Sequence, residues 1–155
     1  MKLAYVGGRL KIIELVREIQ RVLEEHGFVI DYDWTSHGSL RGNPEGLTAI
    51  APKMTKAAGR ADVAVYLLAN GEESPQAGLH VEMGASLLGG ALVFLWTPPE
   101  HGYLLDPTNK RCKSFYVHPN VTRCVASEDK VAESVREWLT SSARVSSLDL
   151  PAGLE

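Results

Sequence analysis

Glu82 is the residue whose setting points most directly to chemistry. It is a lone carboxylate in an apolar segment, Gly78-Leu-His-Val-Glu82-Met-Gly84-Ala-Ser-Leu-Leu88. Apolar neighbours on both sides leave it partly desolvated, and a perturbed carboxylate where ligands bind is a candidate catalytic group. The plainer alternative is that the helix dipole favours an acidic residue in a first helical turn with no chemistry attached. Gly78 and Gly84 flank Glu82, and glycine inside a helix implies that something approaches the backbone closely. Five further sets of residues accompany Glu82. Gly7, Gly8 and Arg9 follow the first apolar run, where a glycine turn lets a ligand sit against backbone N–H groups beside a cation. Lys11 and Arg41 are additional surface cations. Tyr5 is either a core aromatic or a hydroxyl that holds the carboxylate. Trp34 is either a packing residue at the sheet edge or a stacking platform for a flat ring. Asn70 and Gln76 bracket the polar stretch that leads into the Glu82 segment.

Other reactive side chains form no recognisable set. His37 and His80 lack a partner at useful spacing, and His101 and Tyr103 lie in a long polar segment. Cys112 and Cys124 match no metal template, so they read as ordinary thiols in a reducing compartment, and neither a metal nor a cofactor is expected. Gly-x-Gly-x-x-Gly is absent, as is a Walker loop.

The elements that must position these residues follow from hydrophobic period. Lys2–Val6 reads as a strand. From Leu10 to His26, Ile12, Leu15, Val16, Ile19, Val22 and Leu23 fall on one helical face, and Gly27 closes the helix. Phe28–Trp34 reads as a second strand, and Glu45–Arg60 as a weaker helix broken near Pro52. A continuous apolar run from Asp62 to Ala69 is the third strand, with Asp62 structural at the end away from the ligand edge. The Glu82 helix and a fourth strand over Ala91–Trp96 follow. Thr97–Ser114 reads as a long loop and Phe115–Val117 as a short extended piece. Thr122–Ala126 is the last strand, and a final helix is capped by Ser127. Strands alternating with helices, with unbroken apolar central strands, predict a five-stranded parallel sheet covered on both faces. The expected class is α/β, flavodoxin-like or Rossmann-like, in order 2-1-3-4-5. The loops after strands 1 and 3 then line one cleft at the switch point.

The chain has 155 residues, which fits one domain over residues 1–140 followed by a tail from 141 to 155. Its 16 basic against 19 acidic side chains give a net charge of −3, which argues against bulk nucleic-acid affinity but permits a small anion held by local cations. No apolar stretch is long enough to span a membrane, and the first apolar run is too brief for a signal peptide, so a cytoplasmic protein is expected.

At these residues the chain resembles the nucleoside 2-deoxyribosyltransferase family, which includes 2'-deoxynucleoside 5'-monophosphate N-glycosidases and CMP hydrolases. The resemblance is carried by Lys2-Leu-Ala-Tyr-Val-Gly-Gly8, Asp31-Tyr-Asp-Trp-Thr35, Ala61-Asp-Val-Ala-Val65 and, most specifically, Gly78-Leu-His-Val-Glu82-Met-Gly84-Ala-Ser-Leu. It implies that Glu82 attacks the anomeric carbon of a nucleoside and expels the base. Water or a second base then resolves the glycosyl-enzyme intermediate. It also implies that Tyr5 orients Glu82, that Gly7, Gly8 and Arg9 hold a phosphate, and that the chain forms a homodimer or larger oligomer. The chain departs from the family's pattern at Met54 and Gln76, where aspartates are typical, so the group that protonates the leaving base is unassigned. Two alternatives stand beside this reading: a catalytically silent nucleotide-binding module, and a TIR-like NAD glycohydrolase. A redox flavodoxin-like role has no visible flavin phosphate loop.

Overall fold

Two strands with every residue buried form the centre of the molecule: β3 (Val63–Leu67) and β4 (Leu92–Thr97). Strands buried on both faces have no polar side to alternate with, which is why their sequences are unbroken apolar runs. β1 (Leu3–Gly7) is equally buried, while β2 (Val29–Ile30) and β5 (Val121–Val125) are the partly exposed edges. The order is β2-β1-β3-β4-β5, and every neighbouring pair is parallel, as expected from the sequence. This is a computed structural model, and it describes residues 1–70 and 77–149.

Helices cover both faces. α1 (Ile13–Glu25) packs beside α4 (Val131–Ser141), and α2 (Pro44–Arg60) packs beside α3 (Ala77–Leu88). α1 is strongly amphipathic and buries Leu15, Val16, Ile19, Val22 and Leu23 against the sheet. α2 and α3 approach closely through glycine. A Cβ on Gly89 would lie 3.0 Å from the Gly59 carbonyl carbon, so a larger residue there would push the helices apart. Asp62 is structural: its Oδ2 accepts from the Leu3 amide at 2.7 Å, tying β3 to β1 at the edge away from the cleft. No helix among the described residues is long and apolar enough to cross a membrane.

Several boundaries differ from the sequence reading, each for a local reason. The second strand ends at Ile30, because Asp33 Oδ1 accepts from the Thr35 amide at 2.9 Å and the Thr35 hydroxyl at 2.6 Å, winding Trp34–Ser36 into a 3-10 turn. Helix α2 runs through Pro52 without a break. Pro52 lies on an exposed side, where the carbonyl one turn earlier can turn to water. The long loop is partly wound, with a 3-10 segment over Pro99–Leu105 that buries Leu104 and Leu105, and the expected extended piece at Phe115–Val117 is instead part of a 3-10 segment, Ser114–Val117, that buries Tyr116. Ser127 precedes a 3-10 turn, Glu128–Lys130, and makes no side-chain cap for α4. The expected tail begins as ordered chain. α5 (Ala143–Ser146) buries Val145, and the Arg144 guanidinium donates to Pro119 O at 2.9 Å.

Candidate active site

The C-terminal ends of β1 and β3 meet at the point where strand order reverses, and the helices and loops that follow them wall a cleft. This cavity has a volume of about 420 Å³, within the range of small-ligand sites. Gly8 and Arg9 reach it from the end of β1, Asn70 from the end of β3, and Gly78 and Glu82 from α3. Lys11 and Arg41 complete a rim of three cations, and Glu82 is the one carboxylate among the described lining residues.

Burial sets the electrostatics of Glu82. Its pKa is pushed up to about 7, because removal from water disfavours the charged form, and a smaller opposing effect comes from the Tyr5 hydroxyl. Tyr5 lies in the middle of β1 and is fully buried. Desolvation first, and the nearby Glu82 charge second, hold its hydroxyl far above the ordinary phenol range. Tyr5 Oη has no aligned hydrogen-bond partner among the described residues, although it is near enough to Glu82 to influence it. The two groups therefore interact at short range without the geometry of a full hydrogen bond. An orphaned buried hydroxyl is costly, and it is positioned to donate as Glu82 ionises.

Gly7 is required by crowding. A Cβ there would lie 2.6 Å from Tyr66 Cε1 and 3.3 Å from Glu82 Oε2. Gly8 is confined similarly, with Val16 Cγ2 2.8 Å from the Cβ position. Tyr66 anchors the helix that carries Glu82. Its hydroxyl lies 2.6 Å from Ser86 Oγ, and Ser86 Oγ donates to Ala58 O at 2.8 Å, so the one hydrogen left for the first bond is the tyrosine's. This buried chain fastens β3, α3 and α2 together one helical turn beyond Glu82. Burial, and the Glu82 charge after it, also raise the Tyr66 pKa, against the effect of Ser86.

The structure thus brings Glu82, Gly8, Arg9, Asn70 and Gly78 into one cleft, with Gly7 and Tyr5 directly behind the carboxylate. Trp34 takes the packing role of the two considered. It is buried in the core, and its indole N–H donates to Val6 O at 2.7 Å, tying the loop after β2 to β1. Gln76 lies outside the described residues. Two readings of local sequence need correction. Glu82 is the sixth residue of α3 and lies beyond its first turn, so the helix dipole does not account for it. Gly78 and Gly84 meet nothing within 4 Å of a Cβ position, so neither marks a close backbone approach. His80 faces away from the cleft to Tyr116, with Nε2 2.7 Å from that hydroxyl, and burial followed by Lys113 lowers its pKa. Tyr66 and Ser86 went unrecognised in the sequence. The available signal was a serine four residues after Glu82 on an otherwise apolar helix. Among the described residues no group of three or more His, Cys, Asp or Glu could hold a metal ion.

Fold and site together define a five-stranded parallel α/β protein with a desolvated glutamate at its switch point. Among solved structures of this architecture is the CMP N-glycosidase BcmB of Clostridium botulinum, which superposes with a TM-score of 0.62 over 89% of this chain and 100% of its own, at 15% sequence identity. No family model matches the chain, and no curated protein matches it in sequence.

Proposed function

We propose that the protein cleaves or transfers the N-glycosidic bond of a nucleoside or nucleoside 5'-monophosphate, with Glu82 as nucleophile. The observation that carries this reading is a single desolvated carboxylate, backed by an unpartnered buried hydroxyl, inside a cleft rimmed by Arg9, Lys11 and Arg41. The activity of the structural neighbour, a CMP N-glycosidase, supports the same class of reaction. Ionised Glu82 attacks the anomeric carbon as the bond to the base breaks. The electron pair leaves on the base nitrogen, which takes a proton from solvent. Water then attacks the anomeric carbon of the glycosyl-enzyme, releasing the sugar, a proton and the free carboxylate. Tyr5 stabilises the ionised form by donating to it. Gly8 and Arg9 receive the 5'-phosphate, Gly7 keeps the space behind the carboxylate clear, and Asn70 and Gly78 border the sugar.

A second reading, a nucleotide-binding module without turnover, draws on Met54 and on the lack of a second carboxylate among the described lining residues. One experiment separates the two. Ribo- and deoxyribonucleosides and their 5'-monophosphates are incubated with and without a free base, and base release is followed by chromatography. Release that Glu82→Ala abolishes supports the enzyme, and exchange of bases makes it a transferase. No release by folded protein refutes it and leaves the binding module. The homo-oligomer implied by the family resemblance is part of the same proposal: α3 exposes Val81 (62%) and Leu88 (92%), which a second copy of the chain would cover.

A further inference from the structure

The Glu82 cleft adjoins a second cavity of about 490 Å³, and apart from Asn70 the proposed reaction uses none of its lining. Its apolar walls include Ile12, Pro98 and Pro99, and its polar groups include Ser127, Glu100 and Glu128. Lys11 and Asn70 line both cavities, so a cation stands at their junction. Lys11 makes no ion pair among the described residues. The proposed reaction places base and sugar at Glu82 and the phosphate at Arg9, both of which line the first cavity and not the second.

The chemistry of the second cavity selects what lies beyond. Glu100 and Glu128 repel the free end of a polyphosphate, so a nucleoside triphosphate is a poor occupant. Carboxylates do accept hydrogen bonds from ribose hydroxyls, and apolar walls suit the flat face of a base. A cation between the two halves suits a phosphate linkage. We propose that the two cavities together bind a pyrophosphate-linked dinucleotide, with the linkage at Lys11 and the distal nucleoside in the second cavity. That this ligand is also cleaved at Glu82 rests on the reaction proposed above; that it binds does not.

The test uses Glu82→Gln protein, in which turnover is removed, titrated calorimetrically with NAD, NMN, AMP and ATP. NAD is expected to bind at least ten-fold more tightly than either mononucleotide. Ser127→Trp, which fills the second cavity from an exposed position, should bring NAD down to mononucleotide affinity and leave NMN and AMP unchanged. Glu128→Lys, also exposed, should shift preference from NAD towards ATP. Equal affinities for NAD and its halves, or indifference of NAD to both variants, overturns the proposal. The wild-type protein is assayed for base release in parallel. Release from mononucleotides with no NAD preference keeps the glycosidase and removes the dinucleotide site. NAD preference without release from any compound does the reverse, and binding of none removes both.

Discussion

Replacing Glu82 by glutamine should stabilise the protein above neutral pH and leave it unchanged in acid. The carboxyl group has a pKa of about 7 in the folded chain against an ordinary value of 4.5. Below pH 4.5 both folded and unfolded chains carry it protonated, and it contributes no pH dependence. Between 4.5 and 7 the unfolded chain releases the proton and the folded chain keeps it, so stability falls with rising pH. Above 7 both are ionised and the penalty is constant. At 1.36 kcal/mol per pKa unit, reduced for the partial opening of the cleft to water, the penalty is about 2–3 kcal/mol. Glutamine keeps the shape and carries no charge, so Glu82→Gln recovers that amount at pH 8. For a chain of this size it corresponds to a rise in Tm of roughly 5–10 °C. Urea denaturation of both proteins at pH 4 and pH 8 reads it directly. Equal midpoints at pH 8, or the same offset at both pH values, would refute the claim that burial governs this carboxylate.

Under the proposed reaction, the pH dependence of base release has the opposite sense: kcat/KM should rise through neutrality and level off above pH 7, because Glu82 would attack in its ionised form. Tyr5→Phe removes the group that lowers the Glu82 pKa, so a pH–rate profile should show that limb displaced to higher pH. Gly7→Ala places a methyl group against Tyr66 and Glu82 Oε2 and should cost about 1–3 kcal/mol in urea melts, together with most of the activity. Ser86→Ala orphans the Tyr66 hydroxyl and should cost about 1–3 kcal/mol. Tyr66→Phe with Ser86→Ala should cost less than the sum of the single changes, which a double-mutant cycle measures.

The legible part of this molecule is the part where one physical demand dominates. β3 and β4 are buried on both faces, so their sequences run apolar up to Thr97, whose hydroxyl donates to Leu68 O, and strands of that kind with helices between them make a parallel sheet, here in order 2-1-3-4-5. Where side chains compete with backbone preference, the sequence misleads. Asp33 can continue a strand or cap a turn, and only its proximity to Thr35 and Gln20 decides for the turn; the same bonds lower its pKa against a desolvation effect. Pro52 breaks helices on average, yet here its missing donor falls on an exposed side. The glycines near Glu82 raise the same difficulty. Gly78 and Gly84 look like clearance for a ligand, while close contacts that favour glycine are at Gly7, Gly8 and Gly89. Spacing along one helix cannot show which side another helix will occupy.

The cleft follows the same division. Glu82 stands out in sequence because it is the one charge on an apolar helix, and burial follows from that environment alone. The groups that hold it are unremarkable in sequence: a tyrosine inside a strand, a serine inside a helix, and a glycine that ends β1. They come together because β1 and β3 are neighbours in register, Gly7 opposite Tyr66 and Tyr5 opposite Ala64. That register puts the Tyr5 and Tyr66 rings 6.1 Å apart behind the carboxylate, and Ser86 then fixes α3 upon them. Removal from water therefore raises the pKa of the carboxylate, and the Tyr5 hydroxyl acts against it by favouring the charged form. A site that only bound phosphate would have no use for that combination, since its cations at Arg9, Lys11 and Arg41 would suffice and a buried carboxylate would oppose the anion. A cost of about 2–3 kcal/mol at neutral to alkaline pH is consistent with the nucleophile proposed above, which must be poorly solvated and still able to ionise near pH 7.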